Sequence, residues 1–231
     1  MASFLASEEF YAERAIGGRS FTDREVRAAN DLVYTLRGAT TLAWSPTAEL
    51  ELGASLAVGP NATGGDTATM LHGADFGWRW QPDAADEAWF VAVQGEVVAR
   101  TFAAAPQVDA ADPQNPVFVA GATLDDYGGY LQLLGGFAPG WSAGLRTEWA
   151  SGAGTSYDAA TGTFLRAADP YRSDRLRISP LLSFRASESW RIRLQYDYDD
   201  SDALADEVHS VWLGCEVRFG SHAAHDHAAD H

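Results

Sequence analysis

Residues 189–200 read SWRIRLQYDYDD, and their side chains sort by parity. Successive side chains of a strand point to opposite faces. One face of this segment would carry Trp190, Ile192, Leu194, Tyr196 and Tyr198. The other would carry Arg191, Arg193, Gln195, Asp197 and Asp199. Such a strand has one oily face and one charged face, and the fold must give each a suitable surrounding.

The alternation recurs along the chain and predicts nine strands. Apolar-biased rows run over residues 32–44, 50–58, 70–80, 89–99, 127–137, 141–149, 176–184, 190–198 and 211–219. A tenth, over residues 4–15, has a weaker pattern. The opposite parity is polar: Asp75 and Arg79, Gln94, Glu96 and Arg100, Asp126 and Gln132, Arg146 and Glu148. It continues with Arg175, Arg177 and Arg185, then Glu216 and Arg218.

A soluble sandwich or lipocalin-like strand would alternate too, so the connections must decide. Breaks at residues 45–47, 81–86, 138–140 and 186–188 are short. Those at 59–65, 101–123, 151–173 and 200–206 are mostly longer and take turns with them. An up-and-down meander with all short turns at one end is the layout of an outer-membrane barrel. The aromatics agree. Trp44, Trp80, Trp89, Phe137, Trp141, Phe184, Trp190 and Phe219 sit beside short turns or the chain end. Tyr34, Tyr127, Trp149 and Tyr198 sit at the far ends. Two aromatic bands on an apolar face are the girdle pattern of a membrane barrel. The expected fold is therefore all-β, an antiparallel up-and-down transmembrane β-barrel of about nine or ten strands, in this chain alone or as part of a larger barrel. Its oily parity would meet lipid and its charged parity a polar lumen. A soluble binding protein would reverse the two faces.

Composition narrows the function. Acidic residues outnumber basic ones 32 to 16, for a net charge of -16, which opposes nonspecific nucleic-acid binding. Every basic residue is Arg. One cysteine, Cys215, excludes an internal disulfide framework. No apolar run reaches the ~18 residues of a membrane helix.

The segments RISPLLSFRASESWRIRLQYDYDD and HSVWLGCEVRFGSHAAH resemble a family of Gram-negative outer-membrane barrels. These are porin-like proteins described as zinc-regulated, TonB-dependent outer-membrane receptors. LELGASLAVGPNATGG, GADFGWRW and QGEVVAR look like parts of the same family. The resemblance covers most of this chain but only the C-terminal portion of a typical longer member. It implies a barrel in the cell outer membrane with a transport or permeability role and, more weakly, a link to zinc. Its implied partners are outer-membrane lipid, the outer-membrane assembly machinery and a small solute or metal ion. This sequence departs from the family in three ways. MASFLASEEF lacks the basic n-region of a signal peptide. No plug or energy-coupling segment is evident, so a gated TonB-dependent metal receptor would need its plug from elsewhere. The end reads HDHAADH, which displaces the expected terminal aromatic to Phe219. A C-terminal fragment is the simplest account, and a complete ten-stranded barrel is its rival. The barrel domain is expected over residues 1–219 and a His/Asp-rich flexible tail over 220–231.

The candidate lumen-facing residues are Arg79, Glu96, Arg100, Arg146, Glu148, Arg175, Arg177, Arg191, Arg193, Asp197 and Asp199. A hairpin centred near Ser187 would set Arg177 opposite Asp197 and Arg175 opposite Asp199. Arg191 and Arg193 would then face Ser183 and Leu181. A wall of Arg attracts anions. A cross-strand charge ladder would instead fix register, and it is the favoured reading. In the tail, His222, His225, His227 and His231 with Asp226 and Asp230 form a candidate zinc, nickel or copper tract, weighed against a solvated tail. No other cofactor is expected. No nucleophile motif is recognisable, and GPNATGGD lacks the ending of a phosphate loop, so an enzyme is not expected.

Overall fold

A computed structural model of the chain describes residues 26–61, 63–64, 66–82, 88–109, 117–119, 121–154, 157–158, 163–164, 174–187, 189–201 and 206–218. Nine long strands form one antiparallel sheet in sequence order. They are β1 (Tyr34–Ser45), β2 (Ala48–Pro60), β3 (Ala68–Trp80), β4 (Trp89–Ala104), β5 (Ala122–Ala138), β6 (Trp141–Gly154), β7 (Arg175–Ser187), β8 (Trp190–Ser201) and β9 (Val208–Val217). Each strand pairs only with its neighbours in sequence, and β1 and β9 are the edges. Two small hairpin pairs, Gln107–Asp109 with Val117–Val119 and Tyr157–Asp158 with Thr163–Phe164, stand apart from the main sheet within the two longest connections. No helix among the described residues is long and apolar enough to cross a membrane.

The nine rows read from the sequence are the nine strands. Two-residue turns join β1 to β2, β5 to β6 and β7 to β8, while β3 to β4 takes eight residues; at the other end the connections run to seven, seventeen, twenty and six residues, so the expected division into short and longer connections holds for three of the four turns and for the two longest loops. Gly140 turns β5 into β6 at a φ of 75°, a left-handed conformation that only glycine adopts without strain. Its carbonyl accepts the Arg185 N–H at 2.7 Å, tying this turn to the next hairpin.

Register keeps the apolar rows together. Leu42 pairs with Leu50, and Leu50 with Trp78. Trp78 pairs with Val93, Val93 with Leu133 and Leu133 with Leu145. The predicted β7–β8 register needs a correction. Arg177 faces Asp199, Arg175 faces Ser201, Arg191 faces Arg185 and Arg193 faces Ser183. The hairpin closes tightly at Ser187 and Trp190, with a bulge between Arg185 and Ser187, and so slides the pairing by two residues. A shift of two preserves parity, so every side chain keeps its predicted face.

Burial is inverted relative to a soluble core. Apart from prolines and glycines, only Phe102, Ala104 and Leu124 are buried apolar residues among those described. Exposed large apolar side chains occur on all nine strands, among them Trp44, Leu52, Phe76, Trp89, Leu133, Leu145, Leu182, Leu194 and Leu213. In the interior strands the charged parity is the more sheltered one, with Asp126 and Asp197 each 5 % exposed, whereas β1 is exposed on both parities. Among the described residues, no second sheet or long helix packs on the main sheet. The shelter therefore comes from the sheet curling over its own polar face. The β1 and β9 edges are not hydrogen-bonded to each other among the described residues.

Candidate functional site

The polar face is built from alternate residues of every strand, and its charges pair both across strands and between residues two apart along one strand. Arg37 of β1 makes a two-pronged contact with Asp75 of β3, at 2.8 and 2.9 Å, passing over β2 at Gly53. A Cβ at Gly53 would stand 2.5 Å from Asp75 Oδ2, so the bare glycine leaves room for the pair. Arg100 of β4 donates through Nε and Nη2 to Asp126 Oδ2 of β5 at 3.0 and 2.5 Å. Arg146 of β6 holds Glu148 at 2.7 Å and lies 3.9 Å over the Tyr130 ring. Arg177 of β7 sits between Asp199 of β8 at 2.5 Å and Glu148 of β6 at 3.8 Å. Glu216 of β9 lies between Arg218 at 2.8 Å and Arg191 at 3.4 Å.

The predicted lumenal residues thus share one face, but they form a ladder rather than one site. Arg100, Arg146, Glu148, Arg177, Arg191 and Asp199 are rungs. Arg193 donates to Gln195, and Gln195 Nε2 donates to Asp197 at 2.6 Å. Arg79 bonds Gln81 at 3.1 Å and lies 4.4 Å over the Phe90 ring. Glu96 stands opposite Asp75 and Tyr130 in the ladder, and Arg175 stands opposite Ala150 and Ser201. A shallow groove of about 460 Å³ lies along β7, β8 and β9, lined by Arg177, Arg193, Gln195, Asp199, Trp212 and neighbours. Ion pairs that are partly hydrated add little stability each. Their sum matters for register, since each opposite-charge rung opposes a slip.

Two features were not anticipated from the sequence. First, the polar face carries an apolar corner at its long-loop end. Phe102 and Leu124 face each other across β4 and β5, with Thr69 of β3 beside Phe102, and all three have no exposed surface. The β2–β3 connection is pinned beside them by Asn61. Asn61 Oδ1 accepts from the Thr63 N–H at 3.0 Å, the Thr63 hydroxyl at 2.6 Å and the Thr67 hydroxyl at 2.8 Å. Asn61 Nδ2 donates to the Ala103 carbonyl at 2.9 Å, and the Ala105 N–H donates to Thr63 Oγ1 at 3.1 Å. The asparagine lies inside GPNATGG, a stretch that reads as an ordinary loop. Second, Trp212 breaks the polar parity of β9 as an indole 62 % exposed beside Gln195.

On the apolar face, the Trp141 and Phe184 rings pack with centroids 4.6 Å apart, tilted by 33°, near the short turns. Toward the other end, the Tyr196 hydroxyl and His209 Nδ1 share a hydrogen bond at 2.6 Å, with Tyr198 against the same imidazole. From Trp141 to Trp149 is eight residues, about 26 Å along a strand and about 20 Å at a barrel tilt of ~40°. From Tyr127 to Phe137 is ten residues, about 25 Å at the same tilt. Both spans are close to the ~25 Å apolar band of a membrane barrel.

Among the described residues, no group of three or more His, Cys, Asp or Glu is placed to hold a metal ion. His222, His225, His227 and His231, and the aromatic Phe219, lie outside the described residues.

Fold and face together define an all-β antiparallel meander with a charge-lined sheltered side and an apolar reverse. No family model, curated protein or solved structure matches the chain.

Proposed function

We propose that this chain forms a β-barrel of the outer membrane whose polar face lines a passage for small solutes. One observation carries the reading: large apolar side chains are exposed on the outer parity of all nine strands, while on the other parity the interior strands shelter Asp126, Asp197 and Arg100. In water such a surface would be an aggregation hazard over its whole height. In lipid it is the low-energy arrangement, provided the backbone groups are paired within the sheet. The aromatic bands support the same reading, as do three two-residue turns at one end of the sheet and the two longest connections at the other. The wall carries both signs in pairs, which suits polar solutes better than a strict anion filter. A zinc cargo, or a gated TonB-dependent receptor with a plug supplied from elsewhere, is the finer form of this proposal; both rest on the family resemblance.

The test is expression with an added export signal, followed by membrane fractionation and gel migration with and without heating. Recovery in the outer membrane as a compact, heat-modifiable band, with stepwise conductance in planar bilayers, is the expected result. A folded monomer that stays in solution without detergent would overturn the proposal in favour of a soluble β-protein.

A further inference from the structure

Aromatic rings on the polar face differ in what lies over them. The Phe90 ring is capped by the Arg79 guanidinium at 4.4 Å, and the Tyr130 ring by that of Arg146 at 3.9 Å. Among the described residues, no guanidinium or second ring lies against Trp212 of β9. Its indole is 62 % exposed. Part of that exposure belongs to the sheet edge, since Leu213 on the opposite parity is 76 % exposed. The edge does not account for the residues that flank the indole. Side chains two apart share a face, so Trp212 stands between Ser210 and Gly214. A methyl group built at Gly214 meets only the Arg193 carbonyl oxygen, at 4.0 Å. The indole therefore has open space along one flank and a small hydroxyl along the other.

Beside the indole runs a fixed polar row. Trp212 pairs with Gln195 of β8. Arg193 donates to Gln195, and Gln195 Nε2 donates to Asp197 at 2.6 Å, so three planar groups hold one another in place. A guanidinium carries several N–H donors and a carboxylate several acceptor sites, so the row has capacity left for a ligand. Row and indole line the groove of about 460 Å³ together with Arg177 and Asp199, themselves paired at 2.5 Å. Two guanidinium groups and two carboxylates line that groove, which leaves it without net charge.

We propose that this groove binds a neutral hexopyranose, free or as one ring of an oligosaccharide, with the sugar's C–H face on the Trp212 indole and its hydroxyls on Arg193, Gln195 and Asp197; this rests on the reading of the polar face as a solute passage and names a class of solute for it. A pyranose matches both halves of the site. Its faces present C–H groups, which pack on a flat apolar ring. Its rim presents hydroxyls, each both donor and acceptor, which suit a row of guanidinium, amide and carboxylate groups. Charge disfavours the rivals. An anion would have to displace Asp199 from Arg177, and a cation would gain no net field from a neutral groove. An apolar ligand would strip water from the polar row and give it no partner. The volume falls within the ~300–1,000 Å³ of small-molecule sites.

The test is saturation-transfer NMR on the full chain, folded in a detergent without a sugar headgroup, with glucose and cellobiose as probes. The expected result is transfer to the ring C–H protons of the sugar, with affinity lowered about tenfold or more by Trp212→Ala. Gly214→Leu fills the open flank without removing a polar group and should lower the affinity as far. Val211→Ala, one residue away on the opposite parity, should leave it unchanged. Neither inorganic phosphate nor choline should displace the sugars. A folded chain that gives no transfer, or transfer indifferent to both Trp212→Ala and Gly214→Leu, overturns the inference. Displacement by phosphate would make the groove an anion site and displacement by choline a cation site, and each overturns it too. Conductance in bilayers without sugar binding would remove this site and leave the passage. Sugar binding without conductance would support the site and remove the passage, so the two failures are distinct.

Discussion

Arg100→Met tests whether the charge ladder stabilises the sheet. Arg100 reaches Asp126 through two nitrogens, and Asp126 is 5 % exposed on its side chain against 17 % for Arg100. Removing the guanidinium leaves a sheltered carboxylate that has lost its nearest countercharge. Breaking such a pair by deleting one member costs about 3–5 kcal/mol, and the partial hydration of Arg100 places this case near 3 kcal/mol. With a urea slope of about 2 kcal/mol/M, the unfolding midpoint should fall by about 1.5 M. Loss of the heat-modifiable band across a urea series, with tryptophan fluorescence on the same samples, reads that midpoint. The double variant Arg100→Met/Asp126→Leu removes both charges, so it should recover at least half of the loss. A single-variant shift below about 0.3 M, or purely additive losses in the double variant, would refute the reasoning.

Other expectations follow from the same geometry. Leu133→Arg, at mid-height on the apolar parity, should cost about 2–4 kcal/mol of stability in a bilayer, and Leu134→Arg on the polar parity less than half of that; equal tolerance of both would argue against a lipid-facing row. Asn61→Ala removes the acceptor of three hydrogen bonds and should weaken the pinned connection by about 2 kcal/mol, giving about thirtyfold faster exchange of the Thr63 amide by hydrogen-exchange mass spectrometry. Gly140→Ala forces a side chain into a left-handed conformation against the Arg185 carbonyl. It should lower stability by about 1–2 kcal/mol, read as an earlier loss of the compact band on heating.

Much of the fold was legible in the sequence because a strand's period of two is local. Trp190, Ile192 and Leu194 declare a common face from their spacing alone, and the same holds in each of the nine rows. The short breaks were legible as well, since Pro, Gly and Ser interrupt the alternation there. What escaped was anything that depends on how far one strand slides along the next. The β7–β8 pairing was misplaced by two residues because a bulge and a tight turn are nearly silent in composition. Residues 61–67 read as a loop like any other, although Asn61 organises it.

The sequence by itself determined that this is an alternating all-β chain, where the nine long strands of the described residues lie, and which side chains share a face; it did not announce the two small hairpins. Those properties follow from the pleat, which acts within one strand. Only the tertiary structure decided which face is sheltered, because both faces alternate equally well in one dimension and only the curl of the whole sheet separates inside from outside. It also decided the partners of each charge. Arg177 meets Asp199 and Glu148 from two different strands, and no spacing within one strand encodes a contact made by three. The two open edges belong to the same category: they exist only once nine strands lie side by side, where direction and count become visible together.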